Sequence, residues 1–150
     1  MALQCLDLMI DDIVRIAKDV CIPKGTVVSI KGIDVNNRFI EKHLVGSVSC
    51  LPINNDEYGM TCGVWVEYLE PIPLTPEILE KNFEVESNIF GLQTFKLNEN
   101  FKLENRGDRF CLVRKCRYYY PSTFWICDLV HLHQLQHVLR FCGISIKIKL

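Results

Sequence analysis

The closing stretch Val130–Leu150, VHLHQLQHVLRFCGISIKIKL, is where the fold is read most directly. Leu132, Leu135, Leu139 and Cys142 recur at three- and four-residue spacing, which places them on one face of a helix. Gly143 follows where a helix end favours a residue tolerant of left-handed geometry. Ile144, Ile146, Ile148 and Leu150 then alternate with Ser145, Lys147 and Lys149, the period of a half-buried strand. The stretch predicts a helix over 132–142, a glycine stop and a terminal strand over 144–150. It specifies a fold element and carries no chemistry.

Upstream, Pro71, Pro73 and Pro76 mark a joint, because proline cannot continue a central strand and biases its predecessor toward extended geometry. Thr75 suits an N-cap, Pro76 the first helical position and Glu77 the positive helix start, so a short helix is expected over 75–82. Ile78, Leu79, Leu135 and Leu139 are the residues expected to seat the two helices on a sheet. Between the helices, segments 83–86 and 94–97 should form a hairpin about a turn near 88–91. Segments 101–104 and 109–114 should form a second about Asn105-Arg106-Gly107-Asp108. A break at 118–121 precedes a strand at 124–127.

Before the joint, Ile13, Val14 and Ile16 suggest a strand over 12–17, and Val and Ile enrichment a second over 26–33. A polar break is expected at 34–38, a strand pair around Gly46 within 39–50, a loop at 52–63 and a strand at 64–69. Four or five short strands joined by tight turns point to a small half-open barrel. The expected fold class is α+β and mainly antiparallel β. Residues 1–70 form a barrel-like (SH3-like) subdomain and residues 71–150 a mixed β-hairpin and short-helix half.

A chain of 150 residues suits one compact unit or two small subdomains, burying roughly 70% of its unfolded surface without metal or disulfide support. The hydrophobic fraction of 49% and charged fraction of 23% exclude a disordered chain. Net charge is −1, so there is no global attraction to nucleic acid or anionic membrane. The charge is nevertheless uneven, with 6 Lys+Arg against 10 Asp+Glu in residues 1–74 and 11 against 8 in residues 75–150. No run reaches the roughly 18 apolar residues of a spanning helix, and the opening residues lack a basic export signal. A cytoplasmic protein away from the membrane is expected. Its eight cysteines then act as reduced, small hydrophobes.

The stretches VWVEYLEPIPLTPEILEKNF (residues 64–83) and HLHQLQHVLRFCG (residues 131–143), with the alternating terminus, resemble a family of small uncharacterised proteins. These are encoded by gut anaerobic bacteria of Bacteroidales type and by their phages and mobile elements. That family has an EPIPLTPEIL(E)KNGF joint, a hairpin region, a VHQLQ segment and a short closing strand. Glu70 to Asn82 and His133 to His137 match most closely. Asn82 runs directly into Phe83 without the family's glycine, so the helix exit is expected to differ. The resemblance covers about the last 85 residues and implies an origin and an architecture but no mechanism.

His133 and His137 lie four apart and would share a helix face, a two-nitrogen half-site that Cys127, Cys111 or Cys116 could complete. Against this, there is no Cys-x-x-Cys pair and no metalloprotease arrangement. In the structural alternative His133 and Gln134 bond neighbouring backbone and His137 faces solvent. Relatives with Asn at the position of His137 weaken a ligand role further, and no metal or other cofactor is expected. A nucleophile built on Cys127 or Cys116 with a histidine lacks an oxyanion-forming glycine motif. No phosphate loop, nucleotide fingerprint, paired-carboxylate signature or nucleophile elbow is present.

The run RFCLVRKCRYYYPSTFW (residues 109–125) mixes four cations with three tyrosines, two phenylalanines and a tryptophan. Cations that track phosphates beside rings that stack on bases suit a single-strand binding surface. Strand alternation would still bury about half of these rings, and Tyr and Arg are also favoured at protein interfaces. The candidate contact residues are Arg109, Arg114, Lys115, Arg117, Tyr118, Tyr119, Tyr120 and Trp125. Lys147 and Lys149 either guard the terminal strand as an edge or leave it open to a symmetric homodimer. The expectation is a non-catalytic accessory or interaction protein that binds a macromolecule, whether protein or nucleic acid. A nucleic-acid-binding protein is the first alternative. A zinc- or thiol-dependent enzyme centred on Cys127 and His133 is the second.

Overall fold

A computed structural model describes residues 3, 7–40, 43–53, 61–87, 91–115 and 123–150. The chain divides into two compact units, Met1–Ile72 and Pro73–Leu150. The fold is α+β and mostly antiparallel β.

The first unit is one five-stranded sheet. Strands β1 (Ile13–Ile16), β2 (Val27–Ile40), β3 (His43–Pro52), β4 (Cys62–Trp65) and β5 (Leu69–Glu70) lie in the order β4-β3-β2-β1-β5. Alternation in β1 turns Val14 and Ile16 fully inward, where they join Val28, Ile30, Val48, Cys50, Val64, Val66 and Leu69 in one core. Each such buried aliphatic side chain contributes about 1.5–3 kcal/mol relative to exposure. The order, with a 3₁₀ turn leading into a last strand that returns to β1, is that of an SH3-like half-barrel.

Three local expectations change here. The polar break at 34–38 is absent. β2 continues through it, and the register shifts between Asp34 and Arg38 so that residues 35–37 bulge opposite Gly46. Gly46 therefore sits inside β3 rather than at the turn of the strand pair. A bulge absorbs surplus residues without ending a ladder, and it bends the strand. A second shift between Ile30 and Gly32 adds to the curl. The expected strand at 64–69 is also interrupted. β4 pairs with β3 at one edge while β5 pairs with β1 at the other, and the 3₁₀ turn Val66–Tyr68 carries the chain between them. One straight strand cannot serve both edges.

The second unit begins with helix α1 (Pro76–Glu80). Thr75, in extended conformation, caps it by accepting the Ile78 amide on Oγ1 at 3.4 Å, and Leu79 is its fully buried residue. A meander follows: β6 (Glu84–Ser87), β7 (Gln93–Lys96), β8 (Phe101–Asn105), β9 (Phe110–Lys115) and β10 (Thr123–Leu129), in the order β10-β9-β8-β7-β6. The turn between β8 and β9 uses Gly107 at φ 91, with Asn105 Oδ1 accepting its amide. Phe95, Leu103, Phe110, Leu112 and Leu129 are buried, and the Phe95 and Phe110 rings meet edge to face at 5.9 Å.

Helix α2 (Leu132–Phe141) buries Leu132, Leu135 and Leu139 as their spacing predicts. It starts with Gln134 Oε1 accepting the Val130 and His131 amides. It stops at Gly143, whose φ is 69. The Gly143 amide bonds the Arg140 carbonyl and the Ile144 amide bonds the Leu139 carbonyl, a Schellman pair. The terminal strand expected at 144–150 is not formed, and those residues join neither sheet. Alternation alone makes no strand without a neighbouring ladder. The tail is instead held at Lys149 by the side chain of Asn82.

Candidate functional site

The candidate contact surface forms where β9 and β10 leave the core. β10 is an edge strand, and a register shift between Trp125 and Cys127 inserts Ile126 as an extra residue. The bulge breaks the in–out alternation, so three consecutive apolar residues face solvent: Phe124 (50% exposed), Trp125 (65%) and Ile126 (43%). Across the ladder, Phe124 lies opposite Arg114, and Arg114 lies opposite Phe101. The Arg114 guanidinium stands over the Phe101 ring, 5.9 Å from its centroid. A cation flanked by two rings thus crosses three strands in one row.

The cations of β8, β9 and the turn between them fall into two groups. Lys102 and Arg106 both pair with the buried Glu104, at 3.1 and 2.6 Å. Arg109 divides its guanidinium between Asp108 at 3.8 Å and Asp128 at 3.6 Å. Arg114 and Lys115 are exposed and meet no acid among the described residues. Of these five cations, the two without an acidic partner therefore sit beside the exposed rings. Arg109 belongs with the structural pairs.

Trp125 is fixed at one end. Its indole N–H donates to Asp128 Oδ1 at 3.0 Å, and the Cys111 thiol donates to the same oxygen at 3.1 Å. These two donors, with Arg109, hold the Asp128 carboxyl below the usual carboxylate range. The ring face of Trp125 remains open while its N–H is satisfied, an arrangement that limits the ordering a partner would have to impose.

Of the candidate contact residues, Arg114, Lys115 and Trp125 come together. Arg117, Tyr118, Tyr119 and Tyr120 lie outside the described residues, as does Cys116. Phe101, Phe124, Ile126 and Asp128 belong to the surface but were not singled out. Phe124 lay within the aromatic run, whereas the bulge that exposes Ile126 has no sequence signal.

Among the described residues the metal and thiol candidates do not assemble. His133 is buried on α2, with the His131 ring stacked at 5.7 Å and the His137 ring edge-on at 5.8 Å. Cys127 lies opposite Leu112 on the sheet. Among the described residues no three His, Cys, Asp or Glu side chains form a group that could hold a metal ion. The thiols of Cys127, Cys111, Cys142 and Cys50 are also poorly activated. Burial, then the Asp128 charge, raises Cys127, while burial and the Asp128 hydrogen bond raise Cys111. Burial raises Cys142 and takes Cys50 to about 12. A nucleophilic cysteine requires a shift in the other direction.

Among the described residues no helix is long and apolar enough to cross a membrane. Comparison of the chain with protein-family models, with curated proteins and with solved structures returns no match.

Proposed function

We propose that this is a non-catalytic accessory protein that works in the cytoplasm by binding a macromolecule through the β9–β10 end of the second sheet. The observation that carries the reading is the exposed run Phe124-Trp125-Ile126 beside Arg114 and Lys115, two cations without a described acidic partner. Contiguous apolar exposure of this kind marks binding surfaces. Aromatic residues and arginine supply most of the binding energy at such sites. The raised thiols of Cys111 and Cys127 support a binding role over a thiol-dependent activity. A phage or mobile-element origin, implied by the resemblance of residues 64–83 and 131–143, suits a small accessory protein of this kind.

The Phe101–Arg114–Phe124 row favours single-stranded nucleic acid as the partner, since rings accept bases and the flanking cations accept phosphates. Titration with single-stranded oligonucleotides, followed by Trp125 fluorescence in a Trp65→Phe background over a salt series, tests it. Affinity that falls with salt and is lost in Arg114→Ala, and in Trp125→Ala when binding is read by the anisotropy of a labelled oligonucleotide, supports the nucleic-acid reading. If oligonucleotides do not bind, the broader reading requires a protein partner whose capture depends on Trp125. Capture that is indifferent to Trp125, Phe124 and Arg114 alike overturns the proposed surface.

A further inference from the structure

The second sheet is unfinished at the edge opposite the proposed contact surface. In the order β10-β9-β8-β7-β6, no described strand pairs with the outer edge of β6. One apolar row shows the consequence. Val85, Phe95, Leu103 and Leu112 lie opposite one another in turn across four strands. Phe95 and Leu103 are fully buried and Leu112 nearly so, yet Val85 is 42% exposed. On the other face of β6, Glu84 reaches Lys96 only at 3.7 Å, and Glu86 pairs with no cation among the described residues. An uncovered valine between two acids thus fronts an unused ladder.

Residues 144–150 carry the matching pattern. Ile144, Ile146, Ile148 and Leu150 alternate with Ser145, Lys147 and Lys149, and neither lysine pairs with an acid among the described residues. Ile146 is 41% exposed, much as Val85 is. The tail is tied at both ends, by the Ile144 amide on the Leu139 carbonyl and by Lys149 in the grip of Asn82. Between those ties it joins neither sheet.

We propose that two copies of this chain exchange their tails, each adding residues 144–149 to the outer edge of the other's β6. Gly143 is the hinge, since glycine accepts a changed φ, and opening there releases the Ile144 amide from α2. Lys149 passes from Asn82 of its own chain to Asn82 of the second copy, so those bonds are remade. Asn82 also sets the register. An antiparallel strand with Lys149 level with Asn82 places Lys147 opposite Glu84 and Ile146 opposite Val85. Directly opposite residues share a face, so Ile146 covers Val85 at the open end of the apolar row while Lys147 makes a cross-strand ion pair. A slip of one residue would set lysine against valine instead. Exchange of identical elements is a low-cost route to a dimer, and here it gains the ladder on β6 that one chain leaves unmade. Two β6 edges cannot substitute for the tail, because Val85 against Val85 sets Glu84 against Glu86.

The test is sedimentation equilibrium of the full chain over a concentration series from micromolar to millimolar. The wild type should form a dimer that dissociates on dilution. Glu84→Lys and Lys147→Glu, both at exposed positions, should each weaken it by about tenfold or more, because like charges then meet at both exchanged strands. An equimolar mixture of the two variants should restore the dimer, because each exchanged strand again sets a lysine against a glutamate. Trp125→Ala, at the far edge of the sheet, should leave it unchanged. A wild-type chain that stays monomeric at every concentration overturns the proposal. So does a dimer that ignores both charge reversals or dissolves in Trp125→Ala, since its interface then lies elsewhere. A mixture that associates no better than its components overturns it too, because the tail then acts only within its own chain.

Discussion

The side-chain amide of Asn82 holds the main chain of Lys149 from both sides. Asn82 Oδ1 accepts the Lys149 N–H at 2.7 Å, and Asn82 Nδ2 donates to the Lys149 carbonyl at 2.7 Å. Nδ2 also donates to the Ile78 carbonyl at 2.6 Å, an orphan acceptor at the end of α1. One side chain therefore finishes a helix and, in place of a neighbouring strand, secures the tail. Asn82→Ala should lower stability by about 1–2 kcal/mol, since three partly exposed bonds of modest net value are lost together. Asn82→Asp should be no better, because it keeps the acceptor for the Lys149 amide but turns an oxygen toward two carbonyls. Urea melts and hydrogen exchange at the Lys149 amide check both. An Asp variant as stable as wild type would contradict the pairing.

Trp125 separates binding from stability. With 65% of the residue exposed and only its N–H engaged, Trp125→Ala should change unfolding free energy by no more than about 1 kcal/mol. It should weaken partner binding at least tenfold. Trp125→Phe, which keeps a ring and loses the bond to Asp128, should retain most of the binding. Parallel melts and titrations distinguish these outcomes.

Phe95 gives the opposite signature. It is fully buried and meets Phe110 edge to face, so Phe95→Ala should cost about 3–5 kcal/mol through lost transfer energy and the cavity left behind. Far-ultraviolet melts should show the destabilisation whether or not a partner is present.

His131, at the start of α2, should make the fold sensitive to acid. Burial lowers the pKa of His131 below its ordinary 6.5, so the unfolded chain binds the extra proton more readily than the folded one. The stabilising preference for neutral His131 is fully present above the unfolded value. It is lost as pH falls through the lowered folded value. Melting temperature should therefore drop as pH falls below the ordinary histidine value of 6.5. In His131→Asn, which keeps a good N-cap residue, the drop should be shallower. An identical pH slope in the two proteins would exclude His131 as the source.

Helix α2 was legible because its causes lie within a few turns of chain: Leu132, Leu135 and Leu139 on one face, Gln134 at the start, Gly143 at the stop. The same holds for Thr75 and Pro76 at α1, and for Asn105 and Gly107 in the β8–β9 turn. The terminal tail shows where such reading ends. Its alternation is genuine, yet a strand needs a free edge beside it, and Asn82 holds the tail instead. The candidate surface was only half legible. The cations and rings of residues 109–125 were visible, but their exposure depends on a bulge at Ile126 and on which acids reach Arg109 and Arg106.

The sequence by itself determined the antiparallel α+β class, the two short helices and most of the hairpins, because propensity, capping and periodicity act between near neighbours. Only the tertiary structure decided that β2 runs on through its polar segment, that Phe124, Trp125 and Ile126 face water together, and that Asn82 holds the tail at Lys149. Those outcomes depend on residues far apart along the chain. Their meeting is set by strand register and by core packing, and local pattern carries no record of either.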